Sequence, residues 1–240
     1  MSGPLPAALV AYRAATTLLA PLAPALLHWR ARKGKEDIDR LGERRAWPGR
    51  DRPAGDLVWA HGASIGETLT LLPLVERLIG RGLKVLVTSG TRTSAEILAR
   101  RLPPGARHQY LPLDVPHLAR RFIRHWQPQL ALFAESEIWP NLILELDRHH
   151  IPLVLVNGRI SARSFAGWSR RAPRVAEALF GRFALCIAQS AADAERLRAL
   201  GAPRVALGGN LKFDIPPLPA DPAAVEHLQA CLAGRPIWMA

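Results

Sequence analysis

The sequence predicts an α/β protein built on a doubly wound parallel sheet. From Asp56 onward, apolar runs of about four to six residues alternate with amphipathic stretches of about ten to fifteen, the spacing of strands joined by crossover helices. Hydrophobic residues make up 49% and charged residues 22% of the 240, ample for a core and unlike a disordered chain. Cys186 and Cys231 lie in apolar contexts without CxxC spacing. That excludes a disulfide scaffold, argues against a zinc site and suits a reducing compartment.

The chain opens on an apolar stretch, Leu5 to Trp29, followed by Arg30, Arg32, Lys33 and Lys35. A signal peptide carries its charge before the apolar core, and here the charge follows. Arg13, Pro21 and Pro24 make the stretch marginal as a spanning helix. Residues 1–31 therefore read as a membrane-anchor segment that lies in the interface or barely spans, its basic flank on the cytoplasmic side of an anionic membrane surface. A helix packed on the domain is the alternative. Residues 32–55 read as a basic linker.

The sheet domain is expected over residues 56–213. Candidate strands are Leu57–His61, Lys84–Ser89, His108–Leu111, Leu130–Ala134, Leu153–Asn157, Ala184–Gln189 and Arg204–Leu207. Helical patterns lie between them at Gly66–Gly80, Thr93–Arg101, Val115–Trp126, Pro140–His149, Arg170–Phe180 and Ala191–Leu200. Leu69, Leu72, Val75 and Ile79 form an apolar stripe on the first. Ser190 and Asp193 open the last like a capping box, and Gly201 closes it. Beyond Asp214, Pro216, Pro217, Pro219 and Pro222 form a stiff linker. A helix at Pro222–Leu232 and an opening strand from Arg235 follow, so residues 214–240 read as a linker and the start of a second, truncated domain.

Open α/β sheets bind ligands at the carboxyl ends of their strands. The first such turn is His61-Gly-Ala-Ser-Ile-Gly-Glu67, whose glycines stand at Gly62 and Gly66, out of register for a dinucleotide fingerprint. Both are expected to permit a tight strand-to-helix turn. Glu67 falls in the first helical turn, where the dipole favours a carboxylate able to accept a proton; a plain helix cap fits equally well. Glu135 and Glu137 flank Ser136 at the fourth strand end, before a Pro-initiated helix. Only one of the two is expected to face the cleft. Asn157, Gly158 and Arg159 end the fifth strand with an amide, exposed backbone and a guanidinium. Lys212 lies just before the proline linker, in a chain where only 4 of 32 basic residues are lysine.

Six motifs in this order and spacing carry a resemblance. They are HGASIGE (61–67), the turn Thr88 to Ser94, Tyr110-Leu-Pro-Leu-Asp114, ESEIWPN (135–141), LVNGRISARS (155–164) and GNLKFD (209–214). Together they resemble the 3-deoxy-D-manno-octulosonic acid (Kdo) transferases of lipopolysaccharide assembly, over nearly all 240 residues and only the N-terminal part of the family. The resemblance implies a Rossmann-like sheet forming the N-terminal half of a GT-B glycosyltransferase. It implies transfer of Kdo from CMP-Kdo to lipid IVA without metal or cofactor, at the cytoplasmic face of the inner membrane. The family's general base falls on Glu67, and its two transition-state-stabilising residues fall on Glu135 and Lys212. Ser64, Gly66, Asn157 and Arg159 are the expected substrate-binding positions. The donor site would lie mostly in the absent C-terminal domain. Gly62, Ala63 and Asn210 depart slightly from the family pattern, which touches only fine acceptor geometry.

The formal charge is +12. An arginine excess of this kind fits either a GC-rich coding sequence or an anionic partner. Aromatic–basic interleaving of the RNA-platform kind is missing, so no nucleic acid is expected. A second function remains open: a non-catalytic module that binds the lipid A precursor.

Overall fold

Seven apolar runs pair side by side, all parallel, in a computed structural model that describes residues 4–214, 221–232 and 235. The strands are β1 (Leu57–His61), β2 (Lys84–Ser89), β3 (Ala106–Tyr110), β4 (Leu130–Ala134), β5 (Leu153–Gly158), β6 (Leu185–Ala188) and β7 (Val205–Leu207). Their order is β3-β2-β1-β4-β5-β6-β7. Side chains alternate between the two faces. Trp59 on β1 and Phe133 on β4 enter the larger core with Phe122 and Ile143, whereas Val58, Ala60 and Leu132 join Leu71, Val75 and Leu98 on the other face. Helices α4 (Ile65–Gly80) and α5 (Arg92–Arg101) cover that second face. Helices α6 (Pro116–Trp126), α7 (Pro140–Arg148), α9 (Pro173–Phe180) and α10 (Ala191–Ala199) cover the first. A doubly wound sheet results.

Two helices replace the single one expected at Arg170–Phe180. Helix α8 (Ala162–Arg171) ends at Ala172, whose ψ of 47° leaves the helical region, and α9 begins at Pro173. Proline clashes with a helical residue before it yet fits the first helical position. Strand β3 starts two residues earlier than expected, because pairing with Val85 and Leu86 carries Ala106 and Arg107 into the sheet. Helix α11 (Pro222–Leu232) forms as expected. The proline linker at 216–219 and the strand after Arg235 lie outside the described residues.

The segment expected to be a basic linker, 32–55, is instead folded onto the sheet. A 3₁₀ turn (Ile38–Arg40) leads into α3 (Leu41–Arg44). Glu36 is 4% exposed and receives Arg44 Nε at 3.0 Å and Arg30 Nε at 2.8 Å. Arg44 also donates to the carbonyls of Leu111 (2.8 Å) and Gly90 (3.1 Å), tying together the loops after β3 and β2. Its neighbours cover the outer edge of β3. Arg40 holds Glu43 through two 2.8 Å bonds, Glu43 accepts the Tyr110 amide at 2.7 Å, and Arg40 reaches the His108 carbonyl at 3.3 Å. Two side chains thereby occupy the hydrogen-bonding groups of an edge that would otherwise recruit another strand. Burial, Arg40 and Arg50 hold His108 down to about 3, so its neutral ring accepts from Arg40 and donates to Ser89 Oγ.

The N-terminal stretch forms α1 (Ala7–Leu19), a 3₁₀ turn at Ala20–Leu22 and α2 (Ala23–Arg32). By length and composition alone, Ala7–Arg32 could cross a membrane. Its two sides differ. Leu9 and Leu27 are buried, while Leu18, Leu19, Leu22, Leu26 and Trp29 are exposed. Tyr12 donates to Asp114 at 2.9 Å. Asp114 in turn accepts the Asn141 and Leu142 amides at 3.1 and 3.0 Å, supplying the cap that α7 lacks locally. Burial pushes the Asp114 carboxyl up against the pull of these donors. Burial and the Asp114 carboxylate also push the Tyr12 hydroxyl up, which keeps it a donor.

These buried groups set three expectations for stability. Arg44→Ala leaves Glu36 with Arg30 alone, strips the Gly90 and Leu111 carbonyls of their donor and costs about 3–5 kcal/mol in denaturant unfolding, whereas the double change Arg44→Met with Glu36→Leu costs less than the single one. Tyr12→Phe removes a hydrogen bond to a buried carboxylate and costs about 1–3 kcal/mol. Deleting residues 1–31, which also strips Leu9 and Leu27 from the interior, lowers the melting temperature further than Tyr12→Phe in the same thermal scan.

Candidate active site

The strand order reverses between β1 and β4, so the chain connections diverge there and leave a crevice at the carboxyl ends. Glu67 stands on the β1 side. Ser64 caps α4, its hydroxyl accepting the Glu67 amide at 3.3 Å and donating to Glu67 Oε1 at 2.7 Å. The Ala63 amide donates to Glu67 Oε2 at 2.8 Å. This carboxylate is thus fixed by its own turn at the positive end of a 16-residue helix. Glycine suits position 62, since a Cβ there would lie only 3.0 Å from the Glu67 and Thr68 backbone. Gly66 departs from expectation. It is helical, and nothing lies within 4 Å of where its Cβ would be. Its missing side chain leaves open space over the first turn and does not shape the turn itself.

Glu135 stands on the β4 side in the left-handed region, at φ 52°. That conformation is uncommon for a residue with a side chain, and neighbours must hold it. The Glu135 amide donates to the Val156 carbonyl at 3.0 Å, and its carbonyl accepts from the Arg159 amide at 3.3 Å. The turn separates the two glutamates. Glu135 Oε1 makes an ion pair with Lys212 Nζ at 2.9 Å, without the alignment of a hydrogen bond. Glu137 turns instead to His61 and Trp139.

Lys212 sits on a 3₁₀ turn, Leu211–Asp214, that touches α4, and Leu211 packs with the core beneath that helix. Asn157 braces this turn. It too is left-handed, at φ 54°, and is buried, accepting the Leu211 amide on Oδ1 at 3.1 Å. Its Nδ2 is buried without a hydrogen-bond partner. Arg159 is exposed at the rim, and its guanidinium makes no contact among the described residues. Asp193 accepts the Ile160 amide at 2.9 Å and Arg196 donates to the Ile160 carbonyl at 2.8 Å, anchoring the loop that carries Arg159.

The structure therefore gathers Glu67, Ser64, Gly66, Glu135, Lys212, Asn157 and Arg159 on the carboxyl edge of the sheet. Lys212 contacts Glu135, Glu67 is held by its own turn, and Asn157 acts on the Lys212 turn from below. Sequence reasoning gave no role to His61, whose signal was a lone histidine ending an apolar strand. No group of three or more His, Cys, Asp or Glu suited to a metal ion occurs among the described residues. A cavity of about 930 Å³ lined by Asp147, Arg174, Glu177 and Gly201 lies among helix ends remote from the crevice.

The model of the 3-deoxy-D-manno-octulosonic-acid transferase (kdotransferase) family matches residues 39–215. A probable mitochondrial 3-deoxy-D-manno-octulosonic acid transferase of Arabidopsis thaliana is 33% identical over 238 residues, covering 95% of this chain and 53% of its own. The transferase of Rickettsia prowazekii is 41% identical over 162 residues, covering 67% and 35%, and that of Haemophilus influenzae 33% over 207, covering 84% and 48%. The chain thus spans about half the length of the curated relatives it matches, or less. A solved UDP-N-acetylglucosamine 2-epimerase superposes with TM-score 0.52 at 14% identity, over 71% of this chain and 54% of the other. A putative epimerase of that name from Listeria monocytogenes gives 0.50 at 14%, over 72% and 52%. These likenesses show a shared Rossmann-like fold of the GT-B kind. With a sheet of that kind, a carboxylate turn and a Glu135–Lys212 pair at its switch point, and a family match across most of its length, the chain belongs to the 3-deoxy-D-manno-octulosonic-acid transferase family.

Proposed function

We propose that this chain is the acceptor side of a metal-independent glycosyltransferase that moves Kdo from CMP-Kdo to lipid IVA in lipopolysaccharide assembly. The observation that carries the reading is the placement of Glu67 and the Glu135–Lys212 pair on the two sides of one crevice. Glu67 takes the proton from the acceptor hydroxyl, whose oxygen attacks the anomeric carbon. The bond from that carbon to the CMP phosphate breaks, and CMP leaves with the electron pair. Glu135 places negative charge near the oxocarbenium-like centre. Lys212, 43% exposed at its side chain, keeps donors free for the departing phosphate. Ser64 and Gly66 leave the base approachable, Arg159 offers a guanidinium to anionic groups of the acceptor, and Asn157 serves through the Lys212 turn.

The same reading places the protein at the cytoplasmic face of the inner membrane. The exposed apolar side of α1 and α2, flanked by Arg30, Arg32, Lys33 and Lys35, suits an anionic lipid surface. A second reading is that the exposed apolar and basic surfaces bind the lipid A precursor without turnover.

Two measurements test these readings. In the complete two-domain enzyme, Glu67→Gln lowers kcat by about 10²–10⁴-fold while acceptor binding stays nearly unchanged; full turnover removes Glu67 from the mechanism. The 240-residue chain alone, incubated with CMP-Kdo and lipid IVA and followed by mass spectrometry, yields no transfer. Without a second wall to hold the donor in line, a positional contribution of up to roughly 7–11 kcal/mol is lost. Turnover at the rate of an intact relative would mean that the donor site lies within these residues.

A further inference from the structure

We propose that Glu137 binds a hydroxyl of a sugar substrate in the crevice, and that His61 and Trp139 position its carboxylate. This rests on the glycosyltransferase reading above. Glu137 lies three residues past the end of β4, at the switch point, and its amide donates to the Ala134 carbonyl at 3.2 Å. Its Oε2 receives Trp139 Nε1 at 2.7 Å and His61 Nε2 at 3.2 Å. Its Oε1 has no partner among the described residues and is not a buried atom, so the 17% of the side chain that is exposed leaves this oxygen open.

The hydrogen-bond directions follow from the buried chain behind it. Trp59 Nε1 donates to Thr88 Oγ1 at 2.8 Å, so the Thr88 hydroxyl is free to donate onward to His61 Nδ1 at 3.0 Å. The Thr88 carbonyl, also near Nδ1, already accepts the Gly62 amide. This network assigns the His61 proton to Nε2, where it donates to Glu137. Every polar side-chain atom in the chain Trp59–Thr88–His61–Glu137–Trp139 is then satisfied except one carboxylate oxygen.

Asp114 shows the contrast. There both oxygens accept amides of α7, as a purely structural carboxylate requires. Glu137 has one oxygen fixed by two N–H donors, no lysine or arginine beside it among the described residues, and its other oxygen left to solvent at the mouth of the crevice. A sugar hydroxyl donating to that oxygen makes a short, charge-assisted bond, and the fixed partner oxygen removes the ordering cost.

The test uses the complete enzyme, with KM and kcat measured separately for acceptor and donor. Glu137→Gln raises KM for one sugar substrate by about 10- to 100-fold, the loss of a hydrogen bond to a charged group, while kcat falls less than about threefold. The substrate whose KM moves is the one Glu137 holds. His61→Leu reproduces part of the rise, and His61→Gln, which keeps an N–H, restores it. Should Glu137→Gln fail to fold, Trp139→Phe, which removes one of the two donors to Oε2, gives a smaller rise in the same KM. If KM for both substrates stays within about twofold, or only kcat falls, the proposal is overturned. Failure of the base assignment reads differently: Glu67→Gln would keep its turnover while the Glu137 effect on KM persisted.

Discussion

Between β1 and β4 the chain reverses the direction in which it lays down strands, and no connection can cover the carboxyl ends at that point. The rest of the molecule answers this constraint. Every strand is parallel, so all seven present the same polarity to one edge. The turns there must be tight, and their conformations are bought with glycine at Gly62 and left-handed backbone at Glu135 and Asn157. Such residues persist only where surrounding bonds hold them. Here amides and carbonyls of β5 and its loop do so, which ties the β4 carboxylate to the neighbouring strand and, through Asn157, to the turn bearing Lys212.

Basic residues divide into two populations that composition cannot separate. Arg40 and Arg44 are spent internally, satisfying carboxylates and carbonyls around β3. Arginine suits that work because one planar group reaches several acceptors at once. Arg159 is at the surface, its guanidinium without a hydrogen-bond or ion-pair partner among the described residues. Glu36 and Glu43 are already subtracted in the +12, so these internal pairs leave the net excess to the other basic residues.

How far the sequence could be read depended on whether the deciding interaction was local. Strands β1, β2 and β4 are continuous apolar runs buried on both faces, and their limits coincide with the expected ones. Ser190 and Asp193 are three residues apart, and their mutual capping is as legible as it is local. Helix α8 was not seen because Ser161-Ala-Arg-Ser164 caps through one hydroxyl and carries no acid to mark the start. The fold of segment 32–55 was illegible because a charge run reads as solvated until its partners, Gly90 and Leu111, are known. Within the site, Glu67 was readable from its turn. The Glu135–Lys212 contact joins residues far apart in sequence, and the sorting of Glu135 from Glu137 depends on a backbone angle that no side-chain pattern encodes.

The bond from Tyr12 to Asp114 bears on how the N-terminal helix is held to the sheet. A flexible tether lets a catalytic body wander over a range of heights and tilts. Helix α1 is bolted to the same carboxylate that starts α7, and α7 begins where the ESEIWPN loop ends. It acts as a bracket: one rigid piece spans from the exposed apolar ridge of Leu18 and Leu22 to the crevice. The height and tilt of that ridge relative to the crevice are then fixed properties of the fold, set by a hydrogen bond rather than by chain length.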